Sequence, residues 1–377
     1  MSSTPSSNKN KNKENSSNGF WWILASVPLV LVGILFALEV LGGAPSSGSG
    51  SDEIPGLDFG TGSMFDSIAT RYDTINRVLA LRMDIGWRRK MTTRIKELLI
   101  EQEQEQEQEQ EQARGQQKSS WRILDVATGT ADVALQLIDD LSGDDTDHAV
   151  TVLGLDPSAN MLAVGRSKIH DKGLDSRIRL EQADARDLSR YYQSSDDDNN
   201  NNAHAFDAAT IAFGIRNVVP NRSKALCEIH RLLAPGGVLA ILEFSQPTYE
   251  EHGILGAAAA VFISKVVPVV GGLLSGGARK EYEHLQNSIK GFPGPAEFRQ
   301  QLQDLDCPLM EDDPDHYFYA GHYEMENVTH MNFGSVQLYI GRAAVKPKAH
   351  LVPKGGSKSG NKKSNDDPVL PPIGKVE

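Results

Sequence analysis

The feature that most limits the fold is a regular alternation of strand-like and helix-like stretches between residues 121 and 244. WRILDVA from Trp121, VTVLGLD from Val150, IRLEQAD from Ile178, FDAATIAF from Phe206 and VLAILEF from Val238 read as strands. Between them ADVALQLIDDL, SANMLAVGRSKIHDK and NRSKALCEIHRLLA read as helices, and PGG before Val238 as a turn. Alternation with short connections is the pattern of an α/β fold, a parallel sheet wrapped by helices. Ligands of such sheets sit at the carboxyl ends of the strands, which puts Asp125 to Asp132, Asp156, Asp184 and residues 212–217 along one rim.

The flanking composition divides the rest of the chain. Residues 1–19 are Ser, Asn and Lys with almost nothing to bury, a composition that stays disordered. Residues 20–42, FWWILASVPLVLVGILFALEVLGG without its last glycine, carry one charge, Glu39, and can cover the ~20 residues that a bilayer span requires. They are expected to form a transmembrane or signal-anchor helix, since the apolar region of a signal peptide is only about 7–15 residues. Lys9, Lys11 and Lys13 precede this run and no basic residue follows until Arg71, which keeps the N-terminus on the side of synthesis. The absence of Arg ahead of the span argues against an ordinary mitochondrial presequence.

Residues 43–62 have linker composition, and a folded domain is expected over 63–344, opening with apolar residues at helical spacing from Met64 to Leu99. The alternating Glu and Gln of 101–112 have no apolar face, and 101–118 reads as a solvated insert, as does SSDDDNNNNAH within 193–205. Residues 345–377 read as a disordered tail. GILGAAAAVFISKVVPVVGGLLSGG, from Gly253, is not expected to be a second span. Lys265 and Pro268 sit in its middle, and a central Lys costs about 2.5–3.5 kcal/mol of insertion free energy.

Charge and cysteines exclude other classes. With 50 acidic against 38 basic residues the formal net charge is −12, unsuited to a phosphate backbone, so nucleic acid is not an expected partner. Cys227 and Cys307 are far apart in sequence and have no neighbouring Cys or His at ligand spacing, so no zinc site is suggested; both read as free, packed thiols.

DVATGTAD follows the first strand and opens a helix, a place where amides and the positive dipole end face a ligand. It is not a dinucleotide fingerprint: of the glycines that motif needs, only Gly129 remains. Asp156 and Asp184 end the second and third strands, where a carboxylate can hold ribose hydroxyls or serve equally as a turn acid. Within IAFGIRNVVP, a guanidinium follows an apolar run. Arg216 either reaches water, forms a structural ion pair, or serves a ligand.

Together these segments resemble the ubiquinone and menaquinone biosynthesis C-methyltransferases. The matching stretches are FDSIATRYDTINRVLALRMDIGWRR, DVATGTADVAL, GLDPSANMLAVGRSKI, TIAFGIRNV, HRLLAPGGVLAILEFSQP, YEHLQNSIKGFP and GSVQLYIG. The nucleotide-loop motifs are common to many methyltransferases, whereas FGIRN followed by PGG and LEFSQP in this order is specific. The resemblance implies the Rossmann-like, mostly parallel seven-stranded sheet of class I methyltransferases with N-terminal helices and an apolar lid, and S-adenosylmethionine as co-substrate. It assigns Asp125, Gly129, Thr130, Asp156, Asp184, Ala185 and Ala212 to that co-substrate. Many members have glycine where Thr128 and Ala131 stand, and some have serine at Ala212.

By the same resemblance the acceptor is a prenylated or phytylated quinol. C-methylation of such a ring needs an electron-rich carbon held about 3 Å from the transferable methyl, and a phenol of pKa near 10 is a poor nucleophile until ionised. Arg216 would stabilise the phenolate and Asn217 would bond a ring oxygen, with Tyr72, Tyr282 and His284 as candidates to take the proton. The implied partners are the membrane that holds the acceptor and other quinone-biosynthesis enzymes, with a homodimer compatible. The expected location is membrane-anchored in an organelle, the mitochondrial inner membrane or the plastid. A catalytically silent scaffold of a quinone pathway, or a methyltransferase for another lipid, are the rival readings.

Overall fold

The computed structural model describes residues 69–110, 120–142, 148–192, 206–267, 279–309 and 319–347. The expected span at 20–42, the 43–62 linker, the 193–205 insert and the 348–377 part of the tail fall outside them. Among the described residues, no helix is long and apolar enough to cross a membrane.

Two helices open the described chain, α1 (Ala69–Leu79) and α2 (Met83–Gln110). The alternation then appears as β1 (Ser120–Val126), α3 (Asp132–Leu141), β2 (Ala149–Asp156), α4 (Ala159–Asp171), β3 (Ile178–Gln182), β4 (Phe206–Ala212), α5 (Arg222–Leu232) and β5 (Leu233–Phe244). After it come α6 (Tyr249–Val261), α7 (Arg279–Lys290), α8 (Pro295–Gln303), β6 (Tyr319–Met325), β7 (Thr329–Met331) and β8 (Val336–Pro347). The sheet order is β3-β2-β1-β4-β5-β8-β6, with the three-residue β7 added to β8. The first five strands are parallel, while β8 runs antiparallel between β5 and β6. This is the expected Rossmann-like sheet with one short extra strand. Chain order reverses between β1 and β4, the place where such sheets open a crevice.

The central strands are nearly all apolar because helices cover both faces. Ile123, Leu124 and Val126 of β1 and Ala208, Ala209 and Ile211 of β4 are fully buried. On one side α2 turns Trp87, Met91, Ile95 and Leu98 to the sheet, a stripe at i, i+4, i+8 and i+11. The other side is closed by α5 and α8.

Three expectations are corrected. Residues 101–110 of the Glu/Gln run are not a free loop: α2 continues through them, and Glu103 accepts a hydrogen bond from Trp121 Nε1 at 2.6 Å and faces His148 Nε2 at 3.1 Å. The run lacks an apolar face, but partners on β1 and before β2 give its carboxylates a use there. PGG is not a separate turn between α5 and β5 but an irregularity within β5. The pairing with β4 shifts register between Phe206 and Ala208, and Gly236 takes φ +73°. Finally, Cys227 and Cys307 form a disulfide rather than free thiols, with Cα atoms 5.1 Å apart. A bridge from Cys307 to Gly321 in β6 lays the second cysteine beside α5, an encounter across 80 residues that sequence spacing cannot show.

Candidate active site

The cleft lies where the loops after β1 and β4 part, roofed by α1, α2, the segment after α6, and α7. The β1 loop is held by its own side chains. Asp125, 1% exposed, accepts from the hydroxyls of Thr128 and Thr210, both at 2.6 Å. Burial pushes its carboxyl up to about 6, against the pull of those two hydroxyls. Asp125 therefore ties the loop to β4 from beneath and does not line the cleft.

Within the loop Ala127, Gly129 and Ala131 all have positive φ, at 54°, 55° and 65°. Glycine adopts this conformation freely, whereas each alanine is held there at a cost of order 1–3 kcal/mol. Ala131 stands where many family members have glycine, so that departure carries backbone strain. Thr128 at the other departure is not strained; its hydroxyl supplies the bond to Asp125.

Asp156 is buried at the end of β2, and its two oxygens accept from the amides of Gly129 (2.9 Å) and Ser158 (2.8 Å). It thus serves as the turn acid, while Ser158 caps α4 by accepting from the Met161 amide. Gly129, Thr130 and Ala212 border the cleft. Asp184 and Ala185 lie farther along the rim and do not line it, and Arg186 grips Asp184 through Nη2 and Nε at 2.7 and 3.0 Å. Partial burial would raise the Asp184 carboxyl, but Arg186 holds it below the usual carboxylate range.

A charged network, which sequence reasoning missed, docks α1 and α2 against this loop. Lys168 of α4 donates to Asp73 at 2.9 Å, Asp132 at 2.6 Å and Thr130 at 3.0 Å, and the Thr130 hydroxyl donates to Asp73 at 2.6 Å. Arg77 and Arg88 meet the other Asp132 oxygen at 3.1 and 3.4 Å. Burial opposes ionisation of Asp132, yet Lys168 and Arg88 keep its carboxyl below the ordinary range.

At the other end, Ile215–Asn217 forms one turn of 3-10 helix that buries Arg216 and Asn217 to 6% and 8% exposure. Gly214 is needed before it, because a Cβ there would lie 2.4 Å from that of Ala127. Arg216 does not turn to solvent, but neither is it a lone cation. Its Nη1 contacts Glu243 Oε1 at 2.6 Å and donates to the Phe213 carbonyl at 2.5 Å, and its Nε donates to Ser288 at 3.3 Å. The Arg216 amide also bonds Glu243, which is fully buried. The structural ion pair is therefore present, with an acid of β5 as its partner, and Arg216 also lines the cleft.

Glu243 belongs to LEFSQP, and an acid inside an otherwise apolar strand was the available signal, since a buried carboxylate demands a partner. Asn217 Oδ1 is buried with no described hydrogen-bond partner. Trp87, Phe213 and Phe244 form an aromatic wall beside Arg216, with the Arg216 guanidinium 5.4 Å from the Phe244 ring centre. His284 of α7 also lines the cleft, and burial, then the charge of Arg216, bring its imidazole down to about 4. Tyr72 and Tyr282 are carried by α1 and α7, but their side chains fall outside the described residues.

A sequence profile of the ubiE/COQ5 methyltransferase family matches residues 58–308. The chain belongs to that family. Membership in the ubiE/COQ5 group accounts for the order of FGIRN, PGG and LEFSQP along the chain, and it is consistent over long stretches with curated relatives. A demethylmenaquinone methyltransferase of Thermus thermophilus is 37% identical over 239 residues, 63% of this chain and 89% of that one. The ubiquinone/menaquinone biosynthesis C-methyltransferase UbiE of Geotalea daltonii is 36% identical over 239 residues, covering 63% and 84%. The UbiE of Syntrophotalea carbinolica is 37% identical over 252 residues, covering 67% and 86%. Among solved structures, the CurJ carbon methyltransferase aligns at 16% identity and TM-score 0.37 over 61% of this chain and 50% of that one, too distant to add to the strand order.

Proposed function

We propose that this ubiE/COQ5 methyltransferase methylates a ring carbon of a prenylated or phytylated quinol in ubiquinone or menaquinone-type biosynthesis, using S-adenosylmethionine. The carrying observation is the buried Arg216–Glu243 pair set beside the Asn217 oxygen in an aromatic-walled cleft that starts at the β1 loop.

S-adenosylmethionine supplies an electrophilic methyl group. The residues present fit it: Thr130 and Gly129 border the cleft at the mouth of α3, and a buried carboxylate oxygen of Asp84 in the same cleft has no described partner. Asp156 holds the loop through the amides of Gly129 and Ser158.

For the acceptor ring, the chain's contribution is polarisation and exclusion of water. A bare cation lowers a phenol's pKa by roughly 1–3 units, but Glu243 at 2.6 Å cancels much of that field. Arg216 acts chiefly as a fixed hydrogen-bond donor to a ring oxygen. Asn217 Oδ1 accepts from a ring hydroxyl and so pushes electron density onto the ring. His284, at about 4, is far from the pKa near 7 that suits a general base and serves better as a neutral polar neighbour than as proton store.

The apolar side of the roof, Phe262, Ile263, Val267 and Leu285, suits a prenyl tail. Just before it α6 exposes Tyr249, Ile254, Leu255 and Val261, a face that favours work at a membrane surface. The sequence at 20–42 supports anchorage there, in a mitochondrial or plastid membrane. Incubating the full-length protein with methyl-labelled S-adenosylmethionine and either a demethyl-benzoquinol or a demethyl-naphthoquinol tests the reading by mass. One methyl gained on a ring carbon is expected, and which acceptor gains it identifies the pathway. No transfer to either ring overturns the reading in favour of a silent scaffold or another lipid acceptor.

A further inference from the structure

Asp84 opens α2 and is 5% exposed. Its Oδ2 accepts from Arg88 Nη2 at 2.5 Å, one turn along the same helix, yet its Oδ1 is buried and no described residue donates to it. An ionised carboxylate has room for about four hydrogen bonds, and leaving half of it dry and unmet is costly. Both Asp84 and Arg88 line the cleft, so a donor to Oδ1 has to arrive with a ligand.

The surrounding charges narrow what that donor belongs to. From α1, α2, α3 and α4 the groups packed here are Asp73, Asp84 and Asp132 against Arg77, Arg88 and Lys168. Three negative and three positive charges leave the region near neutrality, which suits a ligand group carrying both signs rather than a net ion. Arg88 joins Asp84 to Asp132, and Lys168 joins Asp132 to Thr130, so the vacant oxygen is wired to the β1 loop and not to Arg216.

We propose that the Asp84–Arg88 pair recognises the zwitterionic amino-acid head of the methyl donor: Asp84 Oδ1 takes the α-ammonium and Arg88 the α-carboxylate. This rests on the reading of the chain as an S-adenosylmethionine-dependent enzyme.

Calorimetric titration of the full-length protein with S-adenosylhomocysteine and with 5′-methylthioadenosine, the same nucleoside without the amino-acid head, tests it without turnover. In Asp84→Asn, S-adenosylhomocysteine should bind roughly 10- to 100-fold more weakly, while methylthioadenosine should keep its affinity within about twofold. Equal weakening of both ligands, or no change in either, overturns the assignment while leaving the methyl-donor reading intact. Failure of the wild type to bind either nucleoside overturns both. If the variant does not fold, a deaminated S-adenosylhomocysteine on the wild type decides. A loss of about tenfold or more supports the ammonium site, and affinity equal to that of the parent compound removes it.

Discussion

The two ends of the cleft are built on opposite principles. At the β1 rim the acids are already consumed by the protein: Asp125 by two threonines, Asp156 by two amides and Asp184 by an arginine. These strand-end acids are scaffold, and the unmet carboxylate oxygen at this end, Asp84 Oδ1, comes from α2 in the roof. At the β4 end a charge pair is buried among aromatic rings and an amide oxygen is left unmet. The strand ends of the first are fixed by bonds already made, whereas the second holds its polar groups among aromatic rings. Substitutions should therefore cost structure at the rim and chemistry at the pair.

The largest effect should come from Arg216 and Glu243. Removing one member leaves the other charge buried and alone, so Glu243→Ala should lose about 3–5 kcal/mol in denaturant unfolding. The double variant Arg216→Met/Glu243→Leu should recover most of that loss, because a buried pair is replaceable by apolar packing. Its kcat should nonetheless remain down by about 10²- to 10³-fold, the usual loss on deleting one fixed donor to a developing oxyanion. Recovery of activity along with stability would reduce the pair to a structural ion pair and erase the contrast.

The rim was legible from sequence and the β4 end only half so, for a reason of range. Asp125, Gly129 and Asp156 sit at the ends of strands whose alternation with helices fixes their place, so local pattern was sufficient. Even there sequence could not tell that Asp156 would face Gly129 and Ser158 amides, since turn acid and ribose acid look alike in a string. Arg216 was visible, but its partner lies 27 residues away on β5 and its Ser288 neighbour 72 away on α7. Asp73, Asp84 and Lys168 escaped notice because each looks like a surface charge until α1 and α2 fold over the loop. The Cys227–Cys307 bond was missed in the same way.

Next in size is a pH effect at the rim. Asp125 titrates at about 6 in the folded protein, above the ordinary carboxylate value of 3.8, so the native state binds its proton more tightly than the unfolded chain. Its contribution to stability is fully present below about pH 4 and is lost as pH rises through 6. The displacement corresponds to about 3 kcal/mol. Asp125→Asn keeps the shape without the charge. The stability difference between variant and wild type should therefore swing in the variant's favour by most of that amount, about 2.4 kcal/mol, between pH 4 and 7, read from urea unfolding at each pH. A difference that stays flat across this window would mean Asp125 is solvated, and the rim would not be the closed scaffold described.

Asn217 tests the acceptor end more gently. Asn217→Ala removes an oxygen to which no described residue donates, so stability should hardly move while kcat/KM for the quinol falls roughly 10- to 100-fold, about 1.4–2.7 kcal/mol. The affinity for S-adenosylhomocysteine should stay unchanged. A matching loss of that affinity would place Asn217 at the nucleotide end and blur the division.

The smallest effect concerns how the acceptor reaches that end. α6 breaks at Gly253, where φ is +59°, and the turn of helix beyond it turns Ile254 and Leu255 outward at 79% and 54% exposure. Largely exposed side chains contribute little to folding, so Ile254→Ser/Leu255→Ser should leave unfolding within about 0.5 kcal/mol of wild type. At a lipid surface the same side chains are worth up to about 1.5–3 kcal/mol each, less for shallow insertion. The variant should raise KM several-fold for a long-chain quinol held in vesicles and not for a short-chain, water-soluble analogue. If KM rises equally for both, α6 shapes the pocket itself and the tail is gripped inside the cleft. If neither changes, substrate delivery depends on the 20–42 segment alone, and the apolar face of α6 plays no part in the chemistry of the β4 end.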